Sequence, residues 1–243
     1  MTLIITRIDN FRQILGNIDG GRILDVACGV GQFIKILQDS LRSWEEIFGL
    51  DVNEQSLAEV RQKFPGDRYR FIKGDSKQIP YPDNIFDLVS LSKGLHHIDD
   101  PGLALQEMKR VLKPGGFFLL NEMYSDELTE VQTTQKIYHH LRVELDKILG
   151  IDHFYTFQKK EILQLMKRLN LSNQKIFEYL EDQSDPMNGA VIEEYSHKMD
   201  SWLEEINDPD KLDYFKSKIQ DLKERFWKVG ITRPPQLVIV GRK

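Results

Sequence analysis

An open, mostly parallel α/β sheet with helices on both faces is the fold class this sequence predicts. Three observations point to it. Between Arg22 and Met123, short apolar runs alternate with helical periodicities five times. The runs are nearly continuously apolar, as strands buried on both faces are. Three of them close on an acid, Asp25, Asp51 and Asp75, and a glycine turn at Gly29 and Gly31 follows the first. Strand–helix alternation of this kind specifies a sheet layered between helices.

The elements follow in order. Ile8, Phe11, Ile14 and Leu15 share a helical face, so a short helix is expected over Ile8 to Ile18, stopped by Gly20 and Gly21. The run from Arg22 to Ala27 is the first buried strand. Phe33, Ile34, Leu37 and Leu41 repeat at helical spacing. Glu46 to Asn53 is a second strand, and Asn53 is a suitable N-cap for a helix carrying Leu57, Val60, Arg61 and Phe64. Arg68 to Asp75 and Phe86 to Ser92 are the third and fourth strands. Pro101 opens a helix that ends where Lys113-Pro114-Gly115-Gly116 cannot continue it, and Gly116 to Met123 is the fifth strand.

The pattern then changes. Residues 126 to 170 read as mostly helical, with stripes Ile137, Leu141, Leu145, Ile148 and Ile162, Leu165, Met166, Leu169. Lys175 to Glu181 reads as a strand. Two amphipathic helices follow, carrying Ile192, Tyr195, Met199, Trp202, Ile206 and Leu212, Phe215, Ile219, Leu222, Phe226. The turn Asn207 to Asp210 separates them, making a helical hairpin before a last strand at Gln236 to Gly241. The aromatic members, Trp202 and Phe226 included, are assigned to packing.

Composition narrows the function. The 243 residues are 40% hydrophobic and 29% charged, enough for a substantial core, and the net charge of −5 argues against a general nucleic-acid binder. Cys28 is the one cysteine, so neither an internal disulfide nor a cysteine zinc cluster is available. It reads as a small packed residue of the turn. No signal peptide or membrane span is legible, and a cytoplasmic protein is the expectation. His139, His140, Asp146 and His153 match no standard metal-ligand spacing, so no metal is expected.

A glycine turn after a buried strand lets backbone approach a ligand, and an acid about 20 residues on, Asp51, suits ribose hydroxyls. Ile34 stands where a dinucleotide site would place its third glycine, and no phosphate-loop lysine pattern exists, so a nucleoside cofactor without a pyrophosphate is expected.

Four segments in unbroken order then resemble the motifs of class I S-adenosylmethionine-dependent methyltransferases of the small-molecule type: LDVACGVGQF, GLDVNEQSLAEVRQKF, FIKGDSKQIPYPDNIFDLVSLSKGLHHIDDP, and MKRVLKPGGFFLL with its RVLKPGG signature. Ala27 replaces the first glycine of the family's loop. The resemblance implies a Rossmann-like, seven-stranded, mostly parallel sheet whose last strand is antiparallel. It also implies S-adenosylmethionine as cofactor. Asp25, Ala27, Cys28, Gly29 and Gly31 would hold its methionine end, and Asp51 its ribose. Val52 would pack on the adenine, with Asp75 and the Ser76 N–H at its edge. Ser92 and Lys93 would stand near the methionine moiety or the acceptor entrance.

The expected core is 1–125, 171–185 and 231–243, with 126–170 and 186–230 as helical insertions after strands five and six, capping the substrate. The expected acceptor is a small molecule. A protein or nucleic-acid methyltransferase, or a non-catalytic cofactor-binding subunit, are the alternatives. In-line methyl transfer needs a base only where the acceptor must lose a proton. His97, Tyr124 and His140 are the candidates, with His96 second to His97.

Overall fold

The computed structural model describes residues 5–8, 10–180 and 185–243, and the expectations at Asp9 and Glu181 lie outside it. The chain divides into two units, 1–124 with 152–179 and 236–243, and 125–151 with 180–235. The first differs from the expected core because residues 152 to 170 pack with it rather than with the insertions.

The first unit holds an eight-stranded sheet. Its strands are β1 (Ile5–Ile8), β2 (Arg22–Val26), β3 (Glu46–Asp51), β4 (Tyr69–Lys73), β5 (Phe86–Ser92), β6 (Leu112–Met123), β7 (Ser172–Tyr179) and β8 (Gln236–Arg242). Their order is β1-β7-β8-β6-β5-β2-β3-β4. Only β8 runs against the others, wedged between β6 and β7. The seven strands expected are therefore present, in a Rossmann-like sheet. The eighth, β1, is an edge strand parallel to β7, with Ile8 opposite Tyr179.

That edge strand corrects the expected N-terminal helix. Among the described residues there, α1 (Arg12–Leu15) is the one helix. Of the expected face, Ile8, Phe11 and Leu15 are buried and Ile14 is half-buried. A strand end followed by one helical turn buries the same residues as a continuous helix would, so the pattern did not distinguish them.

The sheet's helices are α2 (Gln32–Ser40), α3 (Glu54–Lys63), α4 (Pro101–Val111) and α6 (Lys159–Arg168). α1, α2 and α3 cover one face, where Leu15, Ile34, Leu37, Leu57 and Val60 join Ile23, Ile47, Leu88 and Val238 in one cluster. On the other, α4 packs on β5 and β6. There Phe48, Tyr81 and Phe86 meet edge to face, with centroids 5.2–5.6 Å apart. Asn53 caps α3 by accepting the Ser56 N–H at 3.1 Å, as its sequence position implied.

The RVLKPGG segment has a structural purpose of its own. Arg110 donates to the carbonyls of Ile79 and Tyr81 at 2.8 and 2.9 Å, and pairs with Asp83 and Glu107. It thereby pins the loop between β4 and β5.

The second unit is helical: α5 (Glu130–Ile148), α7 (Gly189–Trp202) and α8 (Pro209–Val229). Tyr138, Leu141, Leu145, Ile192, Trp202, Phe215 and Phe226 lie within its core, which confirms the packing role of the aromatics. The α5 stripe is rotated from expectation. Ile137 and Ile148 are about two-fifths exposed, and the buried face runs through Tyr138, Leu141 and Leu145. Thr129 and Gln132 form a capping box at the start of α5.

Gly49 sits in β3 where a Cβ would lie 2.6 Å from the Phe71 ring and 2.8 Å from Cys28 Sγ. Gly49→Ala should therefore destabilise the protein by about 1–3 kcal/mol through overpacking, measured as a lower urea midpoint with an unchanged slope.

Candidate functional site

Strand order reverses between β2 and β5. From β2 the chain builds outward through β3 and β4, then returns to place β5 and β6 on the other side. In open α/β sheets, ligands sit beyond the carboxyl ends at such a reversal. The turn after β2 and the acid that ends β3 meet there.

The turn after β2 has a backbone that few residues tolerate. Ala27, Gly29 and Gly31 have φ of 54°, 50° and 82°. At Gly31 an added Cβ would strike Phe64 and Val60 of the α3 region at 2.5 and 2.7 Å. At Gly29 it would meet nothing within 4 Å, so the backbone there fronts open space. The methyl of Ala27 fits because its neighbour across the turn is Gly94, where a Cβ would come within 2.8 Å of it.

Asp51 closes the turn from β3. Its Oδ2 accepts the Gly29 N–H at 2.7 Å and its Oδ1 the Asn53 N–H at 2.9 Å. Each carboxylate oxygen has a second acceptor position, so the clamp can take two further donors. Val52 beside it is 64% exposed, a large apolar side chain lying open next to an acid. A diol on the carboxylate, an apolar ring on Val52 and backbone approach at Gly29 suit a nucleoside such as that of S-adenosylmethionine.

Asp25 is buried and accepts the Ser90 hydroxyl hydrogen at 2.7 Å. Burial pushes its carboxyl up to about 7, against the lowering effect of Ser90 and with a further push from Asp51. Burial also drives the Cys28 thiol well above its usual range, aided by Asp25 and Asp51, so the thiol is an inert packing group.

Asp75 follows β4, exposed, its Oδ1 accepting the Lys77 N–H at 2.8 Å, and Ser76 beside it is buried. Ser92 and Lys93 end β5. The Ser92 hydroxyl accepts from Asn121 of β6 at 2.8 Å, and Asn121 also donates to Gln236 of β8 at 2.7 Å. Lys93 has φ of 52°, a turn conformation that redirects the chain at the strand end.

The three candidate bases fare differently. The Tyr124 hydroxyl donates to Glu178 at 2.8 Å, and Lys159 donates to the same oxygen. Burial, then that carboxylate, raises the phenol well above its usual range, which makes it a poor base. His97 stacks on His153 with centroids 4.3 Å apart. Desolvation, then His96 and His153, hold its imidazole below the usual histidine range, although the side chain keeps an exposed surface. His140 lies on α5 of the second unit, next to His139.

Sequence reasoning missed Glu122, Ser90 and Asn121. Each is a polar residue in a buried central strand, and that was the available signal: a run such as Gly116 to Met123 hides no charge without reason. His96, ranked behind His97, is the histidine with a buried acid partner, Glu122.

Residues 24–120 match a family model described as a methyltransferase domain. A demethylmenaquinone methyltransferase of Bacillus licheniformis is 35% identical over 121 residues, 49% of this chain and 52% of that protein. The chain thus spans about half the length of the curated relatives it matches. Among solved structures, an S-adenosylmethionine-dependent methyltransferase of Mesorhizobium loti superposes with a TM-score of 0.57 at 18% identity, covering 96% of this chain and 95% of that one. The [4+2]-cyclase SpnF superposes equally, at 0.57 and 20% identity, over 96% and 78%. The fold therefore serves more than one chemistry. Residues 24–120 are thus similar to a methyltransferase domain, and the solved structures share the fold.

The raised Asp25 carboxyl sets a pH dependence. Between about pH 4 and 7 the folded protein keeps a proton that the unfolded chain, at the ordinary 3.8, has released. This group's contribution is full below pH 4, falls as pH rises towards 7, and is level above. Three pH units at about 1.4 kcal/mol each put the slope on the order of 4 kcal/mol at most. Asp25→Asn keeps an acceptor for Ser90 and removes the titration. Urea unfolding at pH 5 and pH 8 should show a smaller loss of stability in the variant than in the parent.

Proposed function

We propose that this chain transfers a methyl group from S-adenosylmethionine to a small-molecule acceptor, as the RVLKPGG-type members of the methyltransferases do. The observation that carries the cofactor reading is the Asp51 clamp beside an open Gly29 and an exposed Val52. The acceptor reading rests on the acidic net charge and on the relatives' naming, which makes a reduced bicyclic quinone the first compound to try.

The bound cofactor would supply an electrophilic methyl carbon on a sulfonium. The protein's share is alignment and exclusion of water. Asp51 would hold the ribose diol and Val52 the adenine face, with Asp75 and the Ser76 N–H at the adenine edge. Asp25 and the backbone from Ala27 to Gly31, Cys28 included, would hold the methionine end, with Ser92 and Lys93 beside it. Both excursions into the helical unit leave the sheet from the carboxyl ends of β6 and β7. That connectivity supports the helical insertions as the source of acceptor selectivity.

Calorimetry tests the cofactor directly: S-adenosylmethionine and its demethylated product should bind, and NAD should not. Tight NAD binding with neither of the others would refute the reading. Formation of S-adenosylhomocysteine with a methylated product separates catalysis from binding alone.

Asp51→Ala removes two charge-assisted hydrogen bonds to the ribose, each worth roughly 1.5–3 kcal/mol. Cofactor affinity should fall at least tenfold while circular dichroism keeps the parent spectrum. An unchanged dissociation constant would exclude Asp51 as the ribose ligand.

A further inference from the structure

α1 ends after a single turn, at Gly16. Beside it the sheet face over β6, β8 and β7 opens as a groove of about 700 Å³. Its apolar floor is Ile14, Ile18, Phe117, Phe177 and Val240. All five belong to or pack against the core cluster of this face, yet Ile14, Phe117 and Phe177 are only half-buried. Small-molecule sites have volumes of roughly 300–1,000 Å³ and are mostly apolar with a few placed polar groups. The groove shares no residue with the turns that follow β2, β3, β4 and β5.

Its rim is cationic. Lys175 is exposed, and among the described residues its ammonium has no hydrogen-bond or ion-pair partner. The Arg242 guanidinium lies over the Phe117 ring, 3.3 Å from the centroid, and donates to the Gly115 carbonyl at 2.6 Å. A guanidinium carries five N–H donors, so others remain for a ligand. Asn17 and Asn173 add amides to the rim, and among the described residues no acidic side chain lines the groove. The chain as a whole carries a net charge of −5, so this excess of cations is local.

A β-bulge places Lys175. Ser172 pairs with Arg242 and Lys175 with Val240, so three steps along β7 match two along β8. The extra residue falls where Asn173 takes a φ of 50°. In an unbroken ladder Gln174 would stand opposite Val240. With the bulge Lys175 stands there, on the face of Val240 and diagonal to Arg242. Diagonal neighbours lie roughly 7–8 Å apart, close enough for two long side chains to hold one anion.

An apolar floor under two cations complements an anion carried on an apolar body. We propose that this groove is a second ligand site, and that its ligand is a carboxylate borne on an acyl chain or a fused ring. The carboxylate sits between Lys175 and Arg242, where both bonds are charge-assisted. The body lies on Phe117, Phe177 and Val240. The site is independent of the methyl-transfer reading, because none of its residues belongs to the proposed cofactor set.

Carbon-13 methyl spectra of the full chain, labelled at isoleucine and valine, locate and measure the binding. Decanoate, kept below its micelle-forming concentration, and 2-naphthoate are the probes. Shifts should concentrate on Ile14, Ile18 and Val240, and the tighter of the two probes shows whether the body is a chain or a ring. Decanol has the tail without the charge, and acetate the charge without the tail. Each should bind at least roughly tenfold more weakly than decanoate. Lys175→Met keeps an apolar stem and removes the charge, so affinity should fall about tenfold, whereas Lys175→Arg should retain it.

Shifts centred on Val26, Val30 and Val52 would put the ligand at the turns after β2 and β3 and overturn the assignment. So would the absence of saturable binding by both carboxylates. Equal affinity for decanol, or in Lys175→Met, would leave the groove an apolar surface without selectivity and overturn the ligand class. A doubled mass in sedimentation, with the same methyl groups shifting as protein concentration rises, would make the groove the seat of a second copy of the chain instead.

Discussion

The parallel register of β2 between β3 and β5 is the constraint on which the first unit depends. It sets Asp25 opposite Gly49 on one side and Ser90 on the other. The three strands consequently end at one level, and the turns that follow them are neighbours whatever their distance in sequence. Gly29 can reach Asp51, 22 residues away, because the register leaves them facing. Ala27 and Gly94 meet for the same reason. One residue of slip would turn every buried side chain of β2 to the opposite face, so the apolar run from Ile23 to Val26 guards the site as well as the core.

Three acids gather at this end of the sheet, and each is accommodated differently. Asp51 is half-buried and steadied by two backbone N–H groups. Asp25 is enclosed, has a hydroxyl donor, and sits at the border of protonation. Glu122 is enclosed, accepts the Leu95 and Met123 N–H groups and lies beside the ring of His96. Unpaired acids buried together would oppose folding, and the differing partners are what let the sheet hold all three.

Much of this was legible in the sequence because it follows from local spacing. Apolar runs gave the strands, Asn53 and Pro101 the helix starts, and Gly29, Gly31 and Asp51 the turn with its acid. Residues whose importance comes from distant partners were less legible. Glu122 is read as one acid in an apolar run, and its histidine lies 26 positions earlier on another strand's turn. Tyr124 looked reactive, but its partner Glu178 is 54 residues on. The strand at Ile5–Ile8 was missed because its pairing partner, β7, is equally distant information. The face of α5 was misplaced because Tyr138, not Ile137, finds aromatic neighbours in Tyr195 and Trp202.

The position of β8 has a consequence for how the chain assembles. β7 and, through it, β1 reach the rest of the sheet only by way of β8. Residues 236–242 must therefore be made before either can dock, and by then the whole helical unit has been synthesised. The strands from β2 to β6 can form early, as a nascent sheet with one unfinished edge. Until β8 arrives, that edge presents β6 with an unpaired ladder, in the state most open to pairing with a second chain. Late completion of the sheet is thus written into its strand order, and slowing synthesis just before residue 236 would prolong the exposure.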